Sequence, residues 1–386
     1  MALSIGIVGL PNVGKSTLFK TLTKKQVLIA NYPFATIDPS VGVVLVPDER
    51  VDKLWEFSKS ALPVSATQKA LQAGKKIYAT VGFVDIAGLV KGAAEGEGLG
   101  NKFLSHIREV DAVLYVLRAF KNADIINTQQ EVNPLKEKEI LDVELILKDL
   151  ETVNKRVESL AGDVRAAKNP STSLMARDAI KEMDVLKKAK EFLSQQKVLV
   201  EQEFTEDESE ILKSFQLLTF KPRLYLLNGK PKEVSQETLD ALKVYNKNDG
   251  RQNGGIFENY IILDIGTEYE AESLSIQERI ELGLPELSGT DMLIKKSYEL
   301  LGLQTFLTTG EDETRAWTIH KGDTAPNAGA AIHSDFEQKF VKAEVIFWED
   351  LIKAGSYTKA REMGLIRTEG KEYVVKDGDV IEFKHG

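Results

Sequence analysis

The sequence predicts an α/β chain built on a doubly wound, largely parallel sheet, and three observations predict it. The apolar run Leu3-Ser4-Ile5-Gly6-Ile7-Val8 leads straight into the glycine-bearing stretch Gly9-Leu10-Pro11-Asn12-Val13-Gly14-Lys15-Ser16. Further short apolar runs, Ile77 to Val84, Ala112 to Leu117, Arg223 to Leu227 and Tyr260 to Leu263, read as buried strands with helices between them. A charged, helical stretch separates the Ala112 run from the Arg223 run and reads as an insertion.

The first strand ends in the pattern G-x-x-x-x-G-K-S. A loop between a buried strand and a helix N-terminus aims successive backbone N–H groups at one point, and polyphosphate binds there. Gly9 and Gly14 allow the close backbone approach, while Asn12, Val13 and Thr17 complete the expected cradle. Lys15 offers a cation to the β- and γ-phosphates and Ser16 a hydroxyl to Mg²⁺. Thr17 to Leu22 reads as the helix that follows, and the proline-flanked stretch Asn31 to Pro39 as a loop.

The strand Ile77 to Val84 ends at Asp85-Ile86-Ala87-Gly88. Asp85 is placed to reach the metal through water, and the Gly88 N–H to meet a γ-phosphate. Thr36 is the expected second hydroxyl ligand of Mg²⁺. Gly88, Gly92, Gly96, Gly98 and Gly100 crowd the next segment and suit an order–disorder switch. Leu89 stands where Ras-like GTPases carry a water-orienting glutamine, so intrinsic hydrolysis should be slow. Asn12 stands where potassium-dependent relatives place a ligand, which makes K⁺ a second candidate ion; loop stabilisation is the alternative.

In the insertion, Val143, Ile146, Leu150, Val153, Val157 and Leu160 alternate steps of three and four and mark one helix face. A turn is expected around Gly162 and Asn169-Pro170-Ser171, then a second helix through Ile180, Met183, Leu186, Ala189 and Leu193. The acidic run Glu201 to Glu210 reads as a solvated face or loop. Beyond Gly302 the pattern becomes short strands, Arg315 to Ile319, Ala343 to Ile346, Tyr373 to Val375 and Val380 to Phe383, with a tight turn at Asp377-Gly378.

Composition fits this organisation. A chain of 386 residues, 42% hydrophobic and 28% charged, can fill two or three domains of about 150 residues. It has no apolar run long enough for a bilayer and no cleavable signal pattern, so a cytoplasmic protein without membrane partners is expected. Cys 0 removes disulfides and thiolate chemistry. A net charge of −9 argues against nonspecific coating of nucleic acid, DNA included, and confines any RNA contact to a local basic surface.

The strand Arg223 to Leu227 ends in Asn228-Gly229-Lys230-Pro231, without the aspartate that a guanine-reading Asn-Lys-x-Asp would supply. Adenine discrimination becomes plausible, with Asn228 as the remaining amide partner of the purine.

Taken together, Gly9 to Ser16, Asn31 to Asp38, Asp85 to Ala93, Gly96 to Asn101 and Arg315 to Ile319 resemble the YchF subfamily of Obg-like ATPases, among the Obg-related P-loop GTPases of the TRAFAC class. The resemblance spans nearly the whole chain. It implies a nucleotide domain over 1–130 and 219–302, a coiled-coil insertion over 131–218, and a ubiquitin-like (β-grasp) TGS domain over 303–386. It also implies slow ATP hydrolysis with Mg²⁺, GTP as the runner-up, and association with the ribosome, its large subunit through the TGS module, in translation or stress control. The base site is implied at Asn228 and Gly229, with Ile265-Gly266-Thr267 near the purine. Two positions depart from the family pattern. Pro231 stands where the family continues Asn-x-x-Glu, and Asn127 where it carries the histidine credited with catalysis. An amide cannot act as a general base near neutral pH, which makes His106 the substitute candidate. An RNA-binding adaptor that holds nucleotide as a structural ligand is the reading from a different class.

Overall fold

The computed structural model describes residues 3–24, 40–60, 74–86, 99–121, 131–166, 174–245 and 256–386. β1 (Ser4–Val8), buried at every position, delivers the chain to α1 (Lys15–Lys24). β2 (Ser40–Leu45), α2 (Glu49–Ser60), β3 (Lys75–Ile77) and β4 (Thr80–Asp85) follow, then α3 (Leu99–Glu109) and β5 (Ala112–Arg118). The insertion is α4 (Pro134–Ala166), α5 (Leu174–Ser194) and α6 (Glu206–Ser214). The chain then returns through β6 (Arg223–Asn228), α7 (Gln236–Leu242), the ribbon β7 (Lys243–Tyr245) and β8 (Ile256–Glu258), β9 (Tyr260–Leu263) and α8 (Ile265–Ala271). α9 (Ile276–Glu281) and α10 (Gly289–Leu300) lead to the C-terminal part.

The first sheet has the order β2-β4-β1-β5-β6-β9. Only β2 runs antiparallel, on the edge beside β4, and the other neighbours are parallel. β5 and β6 are buried along their whole length, as strands covered on both faces must be. Successive strands fall on opposite sides of β1, so a crevice opens beyond its C-terminal end.

The insertion has its own apolar core. Ile146, Val153 and Leu160 of α4 meet Leu186, Ala189 and Leu193 of α5, and Phe204 and Leu212 join from the segment that follows. Two expectations are corrected here. Val143 is 39% exposed and lies outside the seam. α4 continues through Gly162 to Ala166, while Asn169-Pro170-Ser171 lies outside the described residues. Of the two readings of the acidic run, the solvated face holds: Thr205 and Glu208 close a capping box that starts α6, and Glu206, Asp207 and Glu210 are exposed on it. A buried cluster roots the insertion in the sheet. Asp142 on α4 accepts from Arg223 Nη1 (2.7 Å), Tyr115 OH (3.0 Å) and Lys138 Nζ (2.7 Å).

The C-terminal sheet contains β10 (Leu303–Thr309), β11 (Glu313–His320), β12 (Phe340–Phe347), β13 (Arg367–Glu369) and β14 (Asp379–His385), with short helices between, in a β-grasp-like arrangement. Its order is β13-β12-β14-β10-β11-β3. The Ile77–Val84 run is therefore not one strand. Lys75–Ile77 pairs in parallel with Glu313–Arg315, while Thr80 onward joins the first sheet. Tyr373–Val375 is also not a strand, and Val374 makes a single bridge to Thr324. Gly378, at φ +88, makes the expected turn before β14. α2 is held against this sheet by Arg50, whose guanidinium donates to Asp48 and to Asp377 at 2.7 Å each, and by Lys59 donating to Glu311 O. One apolar core runs through both sheets, from Leu54 and Phe57 of α2 to Leu307, Leu351 and Val380.

Candidate nucleotide site

The Gly9–Ser16 loop packs directly on β5. A Cβ on Gly9 would meet Val116 O at 2.6 Å, and Gly14 adopts φ +106, so neither position admits a larger side chain without rearrangement. Asn12 also takes a left-handed φ, +64, a conformation asparagine tolerates better than most residues. Lys15 is 8% exposed and folds back over the loop, donating to Gly9 O (2.9 Å) and Leu10 O (2.8 Å). Burial pushes its ammonium down to about 8, against the pull of Asp85 and Glu137.

The opposite wall is braced by Asn228, at the end of β6. Its Nδ2 donates to Val13 O (2.8 Å) and its Oδ1 accepts from Ile265 N (3.1 Å), which ties the phosphate loop to the start of α8. Its backbone O accepts from Ala119 N and Phe120 N at 2.9 and 3.0 Å, so the ends of β5 and β6 are locked together. Gly229 is pressed against that junction, where a Cβ would sit 3.0 Å from Phe120 N.

These walls enclose an open cleft of about 670 Å³, within the range of small-molecule sites. Asn12, Gly14, Lys15, Ser16 and Thr17 form the phosphate-loop side. Asn228, Ile265 and Gly266 form the other. Val13 lies beneath the loop, 1% exposed, and Thr267 is engaged through its N–H by Asp264. Phe120, Lys121, Lys230, Glu233 and Asp264 also line the cleft; sequence reasoning missed them. Position after a strand end was the available signal, since each follows β5, β6 or β9 within a few residues.

Asp85 ends β4, half-buried, with its carboxyl pushed up by burial and drawn back down by nearby Lys15. His106 sits half-buried on α3 and is not among the residues lining the cleft. Thr36, Gly88, Leu89 and Asn127 lie outside the described residues. Glu137, in the first turn of α4, is 2% exposed and accepts from Arg118 N at 2.8 Å. Burial pushes its carboxyl up to about 7, opposed by Arg118 and Lys15. A second cleft, of about 500 Å³, opens between α2, α10 and the C-terminal sheet, and there Arg50 is already engaged by Asp48 and Asp377.

Residues 4–149 match a family model described as a 50S ribosome-binding GTPase, and residues 303–386 match the YchF-GTPase_C model, described as a protein of unknown function. A curated relative from Bacillus subtilis (strain 168), named ribosome-binding ATPase YchF, is 44% identical over 392 residues, covering 100% of this chain and 99% of the relative. The chain belongs to the YchF family. A YchF of the same name from Escherichia coli O157:H7 is 39% identical over 390 residues, covering 99% of each chain. The solved structure of the Schizosaccharomyces pombe YchF GTPase superposes with a TM-score of 0.77 at 36% identity, covering 99% of this chain and 97% of that one. No described helix is long and apolar enough to cross a membrane.

Proposed function

We propose that this YchF-family chain is a Mg²⁺-dependent P-loop ATPase that turns over slowly and associates with the ribosome as a nucleotide-dependent regulator in the cytoplasm. The observation that carries the reading is the cleft itself: Lys15, held over the phosphate loop, faces a wall braced by Asn228 and Ile265. Phosphates would lie at the Gly14–Thr17 end and the purine between Asn228 and Gly266. Mg²⁺ suits the hydroxyl of Ser16 at this end: Ser16 would hold it, with Thr36 the second ligand on the sequence reading, Asp85 would reach it through water, and it would neutralise charge on the β- and γ-phosphates. Asn12 remains the candidate K⁺ ligand. Gly88, with His106 or Asn127, would contribute to hydrolysis, and the absence of a glutamine at Leu89 supports slow turnover.

The domain division 1–130 with 219–302, 131–218 and 303–386 belongs to this reading, with the 303–386 module as the face toward the large ribosomal subunit. The names of the relatives support the ribosome, and the family model described as a GTPase keeps GTP as the second substrate. Titration with ATP, GTP and their diphosphates, followed by phosphate release with and without ribosomes, tests the proposal. Sustained release from ATP that rises with ribosomes is expected. Tenfold tighter GTP would favour the GTPase, and absence of turnover the adaptor.

A further inference from the structure

The chain between α8 and α10 turns apolar side chains outward. Ile276 is 63% exposed, Ile280 46%, Leu282 66% and Leu287 40%. Ile276 and Ile280 lie one turn apart and share a face of α9, and Leu282 and Leu287 bracket the loop that follows. This excursion is fixed from within. Arg279, 4% exposed, donates to Pro285 O (3.0 Å), Ala271 O (3.4 Å) and Glu268 Oε1 (3.0 Å), and that oxygen also accepts from Gly289 N (3.2 Å). Through Glu268 the excursion joins α8, whose first N–H is held by Asn228 at the nucleotide cleft. The surrounding charge has one sign. From Asp264 to Asp291 the chain carries eight carboxylates and a single cation, the buried Arg279. Glu270, Glu278, Glu281 and Glu286 are exposed, interleaved along the chain with the apolar groups.

We propose that this face docks a cationic amphipathic segment of a ribosomal protein. Exposed apolar side chains rimmed by polar groups mark an interaction surface. The partner's apolar side chains would cover Ile276, Ile280 and Leu282, and its Lys and Arg would meet the carboxylates around them. RNA does not fit here, because the same carboxylates repel its phosphates. Proteins that bind RNA do fit, since they carry Lys and Arg to neutralise phosphate. A second copy of this chain would set carboxylates against carboxylates across a symmetric contact. The inference rests on the reading of the chain as ribosome-associated, and adds a contact outside the 303–386 module.

The test is co-sedimentation of the full-length protein with purified ribosomes in saturating Mg²⁺-ATP, across a salt series. Wild type is compared with Ile276→Ser/Ile280→Ser and with Glu281→Lys/Glu286→Lys. The serine pair should weaken association at least about tenfold. The lysine pair should weaken it at least about threefold at low salt, and less as salt rises. All four side chains are exposed, so both pairs should keep the wild-type unfolding midpoint and ATP affinity. If the lysine pair strengthens association, the face meets RNA and the proposal is overturned. A wild type that dimerises in sedimentation equilibrium, with a serine pair that does not, would assign the face to a second copy and overturn it likewise. If wild type sediments with ribosomes and both pairs match it, ribosome association stands and this face has no part in it. If wild type does not sediment with ribosomes, the ribosome reading falls, and this inference with it.

Discussion

Replacing Asn228 with alanine removes two hydrogen bonds at once, Nδ2 to Val13 O at 2.8 Å and Ile265 N to Oδ1 at 3.1 Å. A buried backbone group stripped of its partner costs about 1–3 kcal/mol. Here the cleft lets water reach the vacated space, so the lower end applies to each group, about 2 kcal/mol in sum. With an unfolding entropy of about 2.1 cal/mol/K per residue over 386 residues, that lowers the melting midpoint by about 2–3 °C. Without the brace, ATP must re-form the arrangement that binds it, so binding can bear at most the same about 2 kcal/mol, an affinity loss of up to about 30-fold. Asn228→Asp keeps an acceptor for Ile265 N but sets a carboxylate against Val13 O, so its ATP affinity should fall at least as far. Calorimetry with ATP and a thermal scan on each variant read both effects. A midpoint within 1 °C of wild type together with a less than twofold change in affinity would refute the brace.

Glu137→Gln tests a pH dependence. The carboxyl of Glu137 is raised to about 7, so the folded state binds the extra proton and stability falls as pH climbs from its ordinary value toward 7. The glutamine variant, which still accepts from Arg118 N, should flatten that slope, by at most on the order of 3 kcal/mol across the window; parallel slopes in denaturant melts between pH 5 and 7.5 would count against it. Gly14→Ala should cost about 1–3 kcal/mol and most of the nucleotide affinity, because the residue sits at φ +106 with a Cβ 2.6 Å from Asn228 Nδ2; unchanged ATP binding would contradict this. Several C-terminal cations are already paired within the chain, Lys339 with Asp335, Arg361 with Glu344 and Lys353 with Glu349. Reversing the charge of Lys359 and Lys371 should therefore weaken ribosome co-sedimentation and flatten its salt dependence by about one unit of slope for each phosphate left unneutralised; an unchanged salt series would move the docking surface elsewhere.

The sequence resolved what depends on local pattern. The buried strands that line the site announce themselves as apolar runs, and the phosphate loop as glycines at fixed offsets before Lys15. What escaped depends on long-range pairing. Lys75–Ile77 could not be separated from Thr80–Asp85 by composition, because its partner β11 lies more than two hundred positions away in the chain and belongs to another sheet. Val143 fits a helical repeat but stays exposed outside the core the two helices share, since a face is defined by what packs on it. Glu233 was hidden by a motif read at a fixed spacing, whereas a 3₁₀ turn shifts the position at which a side chain returns to the cleft. Asn228 was legible as the residue that ends β6, but its bonds to Val13 and Ile265 needed the fold.

The central claim, that the Gly9–Ser16 cleft binds ATP through Lys15, is tested most directly by calorimetric titration of wild type and Lys15→Ala with ATP in Mg²⁺. The phosphate loop keeps its backbone without the lysine, so the variant should stay folded. The account predicts saturable binding to wild type and none measurable to a variant with an intact melting transition. Wild-type affinity in folded Lys15→Ala would contradict it.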